Sequence, residues 1–383
     1  MNFILEALIR NLFYLSITIP FFNSAMQAMF GFDLNFIYIL FLAFCFIYCF
    51  INGFSFYKTG MKWFYFFLFI FVIQTLQSVI LTQEVNPIDT LYIQVISVVL
   101  GFCFSFFCLT VQISNILFDW TSWICLLLFS LVGILFSLGS FDLISLGVET
   151  QSRGIYNSSP ISISILCCFS IICLFVTNMN IVIKFLLSIP FFILLWFLGS
   201  RGPVISLLGV VFFALVMIRN RNSKMLLFSC FFVFIPFLVS QVLSIRDTVS
   251  ESDSERLMIV DSAFNLISSN PLFSYWGRFV TQTGFVYAHN FFMEMIVDAG
   301  LFYTISLISI ILFILIRFFN VKHLFDRCEL LVFFILVYVF CVLQFSLPSI
   351  EIQKIFLPLM FSSISLIIKK SSNLDGYRSV VLT

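Results

Sequence analysis

Charge is what this chain has least of. Only 10% of its 383 residues are Asp, Glu, Lys or Arg, and two are histidine. That is too little to cover the surface of a water-soluble globule, and a net charge of +1 offers nucleic acid no basic field. Neither a P-loop nor a Gly-x-Ser-x-Gly elbow occurs, so a Walker-type phosphate cradle and an elbow-borne serine nucleophile are excluded. The acidic run from Asp247 to Asp261 lacks the EF-hand pattern, and no outward His/Cys/carboxylate cluster has metal-ligand spacing. The eleven cysteines fall inside apolar stretches or, for Cys328, at the edge of one. Small-hydrophobe packing accounts for them, and no disulfide framework is implied. There is no internal repeat of the kind that inverted-repeat transporters carry.

What is present is hydrocarbon. Hydrophobic residues make up 62% of the chain, with 56 phenylalanines and a mean hydropathy of +1.15. Apolar stretches of about 17–25 residues, the length that crosses a bilayer, centre near 9–29, 33–53, 61–81, 91–112, 118–138, 160–178, 180–198, 203–218, 225–245, 300–319, 329–346 and 354–368. The expected fold is therefore all-α: a polytopic integral membrane protein with about twelve transmembrane helices, forming a single transmembrane domain over residues 1–383. The first stretch shows no small-residue cleavage site and is read as retained. Buried charge within the spans is expected to be nearly absent, which disfavours an ion-coupled transporter.

Basic residues orient the chain. With both termini cytoplasmic, the inward side holds Arg10, Lys58, Lys62, Lys184, Arg219, Arg221, Lys224, Arg317, Lys322, Arg327, Lys369, Lys370 and Arg378. That bias is what the positive-inside rule requires. The outward side keeps Arg153, Arg201, Arg246, Arg256, Arg278 and Lys354. Arginine dominates there, and its planar fork matches phosphate oxygens where lysine offers a point charge.

Two outward loops stand out. The first, about 140–159, contains Arg153-Gly154 and Asn157. The second, 246–290, is a long extracytoplasmic loop, the most polar part of the chain. Ser252 followed by Glu255 fits a capping box. Leu257, Val260, Phe264 and Ile267 then recur at helical spacing, and Asn270-Pro271 stops the helix. An interfacial helix results, lying with its apolar face toward acyl chains. Asn290 is placed to cap the next helix, which starts at Phe291.

Four constellations carry the chemistry, each with a plainer alternative. In Gly199-Ser200-Arg201-Gly202-Pro203, Pro203 suits a first helical turn and Arg201 stands beside free N–H groups, an anion site. The plainer reading is an arginine snorkelling to lipid phosphate. Arg256, expected in the first turn of the loop helix, opposes the helix dipole unless an anion compensates, and a surface salt bridge to a nearby carboxylate is the alternative. Ala288-His289-Asn290 puts a histidine, with an ordinary pKa of about 6.5, just before a helix start, where it can accept a proton or serve structure alone. Arg153-Gly154 allows close approach of a ligand or is an ordinary polar turn. His323, in a basic inward loop, has no such neighbourhood.

In order and spacing, Ser200-Arg201-Gly202, Glu255-Arg256, Asn270-Pro271-Leu272 and His289-Asn290, with Glu294 and Gly300 beyond, resemble the O-antigen polymerase and O-antigen ligase superfamily of bacterial membrane glycosyltransferases. The departure is Phe273-Ser274-Tyr275-Trp276-Gly277, where that family usually carries more glycine. The resemblance implies a GT-C-like fold in the cytoplasmic (inner) membrane, with neither cofactor nor metal. It implies undecaprenyl-diphosphate-linked glycans as substrates, polymerised into O-antigen lipopolysaccharide or capsule, with membrane lipids and a chain-length regulator as partners and no nucleic acid. Arg201 and Arg256 would bind the diphosphate and His289 would be the base, with Arg153, Arg278 and Asn290 as further substrate-binding candidates. A ligase transferring polymer to a lipid A core is the close alternative. A lipid-linked glycan flippase or other transporter is the alternative of another class.

Overall fold

The computed structural model describes residues 2–31, 33–81, 88–119, 121–139, 160–177, 179–217, 249–270, 272, 274–285, 288, 290–344, 352–374 and 381–382. Almost all of them are helical. The helices are α1 (Asn2–Thr18), α2 (Asn23–Phe30), α3 (Phe36–Asn52), α4 (Lys58–Leu81), α5 (Ile88–Cys108), α6 (Val111–Leu117), α7 (Ser122–Gly139), α8 (Pro160–Val176), α9 (Ile181–Leu198) and α10 (Arg201–Met217). They continue with α11 (Val249–Ser269), α12 (Arg278–Thr283), α13 (Phe291–Val321), α14 (Arg327–Leu343) and α15 (Gln353–Leu374). A single antiparallel pair, β1 (Phe56–Tyr57) with β2 (Val381–Leu382), is the one departure from helix among named elements.

Every expected apolar stretch falls on helix except 225–245, which lies outside the described residues. Five helical segments among the described residues are long and apolar enough to cross a bilayer: Phe3–Phe21, Lys58–Leu81, Ser122–Gly139, Phe291–Leu324 and Gln353–Ser372. Others, such as Pro160–Val176, are apolar but shorter. The first stretch is not one helix to residue 29. It passes into a 3-10 turn at Ile19–Phe21, where Pro20 has no N–H to continue the ladder, and α2 starts afresh at Asn23.

The chain divides into two compact units. The first comprises Met1–Phe54, Gln112–Leu208 and Asp326–Ile335. Its centre is α8, buried on every side from Ile163 to Leu174 and packed on α7 and α9. A helix apolar all round belongs in such a core. Tyrosines tie the surrounding helices together: Tyr14 donates to Leu117 O at 3.0 Å and Tyr38 to Ser16 O at 3.0 Å. Arg10 pairs with Asp119 at 2.8 Å. At the carboxyl end of α8, Lys184 Nζ donates to the carbonyls of Phe175 and Thr177, and Arg327 Nη1 reaches Thr177 O at 3.1 Å. Two cations thus satisfy the orphan carbonyls at the negative end of a buried helix. The start of α14 is closed by a reciprocal capping box: Asp326 Oδ1 accepts from Glu329 N at 2.8 Å, and Glu329 Oε2 accepts from Asp326 N at 3.1 Å.

The second unit comprises Ser55–Val111, Gly209–Phe325 and Leu336–Thr383. Here α15 packs on α5, α13 packs on α4 and α15, and α11 lies on α13. Phe67, Phe71, Phe102, Trp276 and Tyr303 form a chain of ring contacts, with Phe67 and Tyr303 centroids 4.7 Å apart. Edge and tilted pairs of this kind add to burial because ring edges and faces carry opposite partial charge.

One expectation about the spans is corrected. Buried charge is present in the apolar helices: Lys184 in α9, Glu294 and Asp298 in α13, and Glu329 in α14. Each is matched to backbone N–H or C=O groups at a helix end or linker. Such partners lie outside the helix that carries the charge, so hydropathy along the helix does not reveal them.

Candidate functional site

The region singled out by its polarity folds as helix, linker, short helix and helix start. α11 begins at Val249, not at Ser252, so Ser252 is interior and does not serve as its N-cap. The same Ser/Thr-x-x-Glu pattern occurs one turn earlier as Thr248 and Glu251, and spacing alone does not choose between them. Leu257 and Phe264, on the face expected to lie toward acyl chains, are open, and α11 has a second apolar face that is buried against protein. Ile259 and Ala263 are buried, with Leu266 and Ile267 beside them, whereas Leu257 and Phe264 are each 65% exposed. The buried set packs on Phe279, Ala288, Met293 and Val297. α11 thus carries two apolar stripes: one is covered by α12 and α13, and the other is open on the outer side of the helix.

The helix stops at Ser269, as Asn270-Pro271 requires. The linker that follows is locked to α4. Ser274 O accepts from Gln74 Nε2 at 3.0 Å and from Gln77 Nε2 at 3.2 Å. Trp276 is fully buried, with its N–H on Ser78 Oγ at 3.1 Å and its indole N–H 3.4 Å from Thr75 Oγ1. Ser274 Oγ donates to Val297 O. The available sequence signal was Gln74-Thr75-Leu76-Gln77-Ser78, a polar patch inside an otherwise apolar stretch. Such patches in membrane helices hold partners or substrates. The bulky Trp276 of this segment thus packs inward.

Arg278 opens α12 and is 6% exposed. Its Nη1 donates to Asn270 O at 2.9 Å, and its Nη2 to Leu266 O and Ser269 Oγ, each at 3.1 Å. Burial pulls its pKa down from the ordinary value, while Tyr275 and Asp298 push it up. Asp298, 2% exposed, accepts the next N–H, from Phe279, at 2.7 Å. A residue expected in an outward loop is therefore turned onto the carboxyl end of α11.

Asn290 is the N-cap of α13. It is extended (φ −149°, ψ 117°), and its Oδ1 accepts from Met293 N at 3.1 Å. Glu294 Oε2 reaches back to Ala288 N at 3.4 Å. Both neighbours of position 289 are thereby held to the first turns of α13. Further along, Gly300 breaks the helix with φ 77° and ψ 166°, a conformation open essentially to glycine alone.

Of the remaining candidates, Arg201 is the first residue of α10 and belongs to the first unit. Gly199, left-handed at φ 62°, ends α9 just before it, and Pro203 sits in the first turn as expected. Arg256 lies on α11. The side chains of Arg201 and Arg256 lie outside the described residues, as do His289 and Arg153 entirely. The structure thus bonds Arg278 to the end of α11 and Asn290 to the first turn of α13, on which α11 packs. Among the described residues, no group of three or more His, Cys, Asp or Glu side chains is placed to share a metal ion.

Comparison with known proteins finds no family model, no curated protein and no solved structure that matches this chain.

Proposed function

We propose that the chain is an inverting surface-polysaccharide polymerase of the bacterial inner membrane, acting on undecaprenyl-diphosphate-linked repeat units at the outer face. The observation that carries the proposal is the ordered set in the second unit. A helix bearing Arg256 stops before Asn270-Pro271, and a new helix starts under an Asn290 cap directly after His289. The resemblance calls for the same order, with Arg201 at the head of α10. Apolar helices long enough to cross a membrane supply the setting that a lipid-linked substrate needs.

In this reading His289 takes the proton of an acceptor sugar hydroxyl, whose oxygen forms the new bond to the donor's anomeric carbon. The bond from that carbon to the diphosphate breaks with its electron pair, and undecaprenyl diphosphate leaves. Charge gathers on the leaving group as the bond breaks, and fixed cations aimed at it lower the barrier. Arg201 and Arg256 have that role, and bidentate guanidinium pairing suits a diphosphate. The base needs to come within about 3 Å of the hydroxyl, directly or through one water.

A transport reading finds some support in the buried Glu294 and Asp298 on α13, because intramembrane carboxylates often mark ion paths. Both accept backbone N–H groups, a structural use, and the polymerase reading is favoured. Complementation of a polymerase-null strain tests it. The wild-type gene restores a ladder of chain lengths, while Arg201→Ala and His289→Ala leave single repeats on the core. Wild-type ladders from both variants refute the assigned roles. Polymer accumulating on the undecaprenyl carrier when this gene is lost would identify a ligase instead.

A further inference from the structure

We propose that Arg278 and Asp298 are positioning residues that fix α11, and with it Arg256, against the first turns of α13. The inference rests on the polymerase reading for its catalytic consequence, but the weld itself is visible without it. Arg278 spans three acceptors at the end of α11: the carbonyls of Leu266 and Asn270 and the hydroxyl of Ser269. A planar fork meets such a set where an ammonium cannot. Asp298, on α13, takes the N–H of Phe279, the residue next to Arg278, and acts on the guanidinium through space. A backbone-to-side-chain path thus runs from α11 through α12 to α13, underlain by the Ile259, Ala263, Phe279 and Val297 core.

The lever explains why this matters. Leu266 and Arg256 are ten residues apart, about 15 Å along a helix. A tilt of about 10° at the clamp would move the arginine by about 2–3 Å at that rise per residue. Misplacement by about 1 Å can cost a reaction about a hundredfold. Asn290 and Glu294 meanwhile hold residues 288 and 290 to the same helix that carries Asp298. Both sides of the proposed site are therefore referred to α13. Direct donor binding by Arg278 is the competing role, and a guanidinium already engaged with three acceptors, on a buried residue, argues against it.

The test uses the purified full chain in nanodiscs, with lipid-diphosphate-linked repeat units as probe. Arg278→Gln and Asp298→Ala are expected to lower kcat at least tenfold with KM within twofold. Asp298→Asn, which can still accept from Phe279 N, should stay within threefold of wild type. Hydrogen exchange of residues 257–269 should accelerate at least tenfold in Arg278→Gln and Asp298→Ala while α15 stays protected. If Arg278→Gln does not fold, Arg278→Lys, which keeps the charge and loses the fork, is measured in its place. A tenfold rise in KM at unchanged kcat would overturn the proposal in favour of substrate contact, as would unchanged exchange of α11. A wild-type chain that makes no polymer would sink the polymerase reading alone, because the exchange data judge the weld separately.

Discussion

Gly300→Ala probes the break in α13 that lies beside the candidate site. The native residue has φ 77° and ψ 166°, and a side chain held in that region costs about 1–3 kcal/mol. The added Cβ would also lie 3.3 Å from Leu272 O and 3.3 Å from Gln74 Oε1. The carbonyl belongs to backbone and yields little, and crowding of a packed interior typically costs about 1–3 kcal/mol. The chain can escape by straightening α13 into continuous helix. That route disturbs the bond from Ser274 to Val297 O and the Gln74 contact that seat the linker. Either way the expected loss is about 2–6 kcal/mol. Gly139→Ala, at the end of α7, is the control: among the described residues its Cβ would meet the flexible tip of Met29 at 3.4 Å and nothing nearer, and it should change stability by less than about 1 kcal/mol. Reversible unfolding in bicelles by steric trapping reads both. A Gly300→Ala protein as stable as wild type would refute the claim that the break is required.

Other substitutions test the packing that frames the site. Trp276→Ala removes the largest buried side chain of the linker and should cost about 3–5 kcal/mol in the same unfolding assay. Phe302→Ala, on a 65% exposed position of α13, should cost far less, and equal losses would contradict the burial of Trp276. Asp326→Ala and Glu329→Ala should each destabilise by about 0.5–2 kcal/mol, and the double variant by less than their sum because the two bonds close one box. Full additivity would show that the two caps act separately.

Local chemistry was readable and long-range partnership was not. The Asn290 cap, the Asn270-Pro271 stop and the Pro203 helix start follow from steric and hydrogen-bonding rules that operate within a few residues. Ser252 lies inside α11 and does not cap it, and the same pattern recurs in the sequence at Thr248 and Glu251, between which spacing does not choose. Asp326-Arg327-Cys328-Glu329 also carries that pattern, yet the polar residues there drew attention only as inward charge. The partners of Arg278, Trp276 and Lys184 lie on other elements, up to about two hundred positions away for Trp276 and Ser78. Period and composition describe which face of a helix is apolar, not which neighbour covers it. For that reason α11 showed one apolar stripe in the sequence and two in the fold. Arg278 illustrates the consequence. Outward placement by charge made it a candidate ligand for substrate, whereas its hydrogen bonds turn it onto a helix end.

The polymerase reading stands or falls on bond formation. Purified chain, incubated with undecaprenyl-diphosphate-linked repeat units in the presence of a chelator, should convert them into a ladder of integral repeats. One undecaprenyl diphosphate should be released for each linkage made. Repeat units recovered unchanged, from protein shown to be folded by the same unfolding assay, would contradict it.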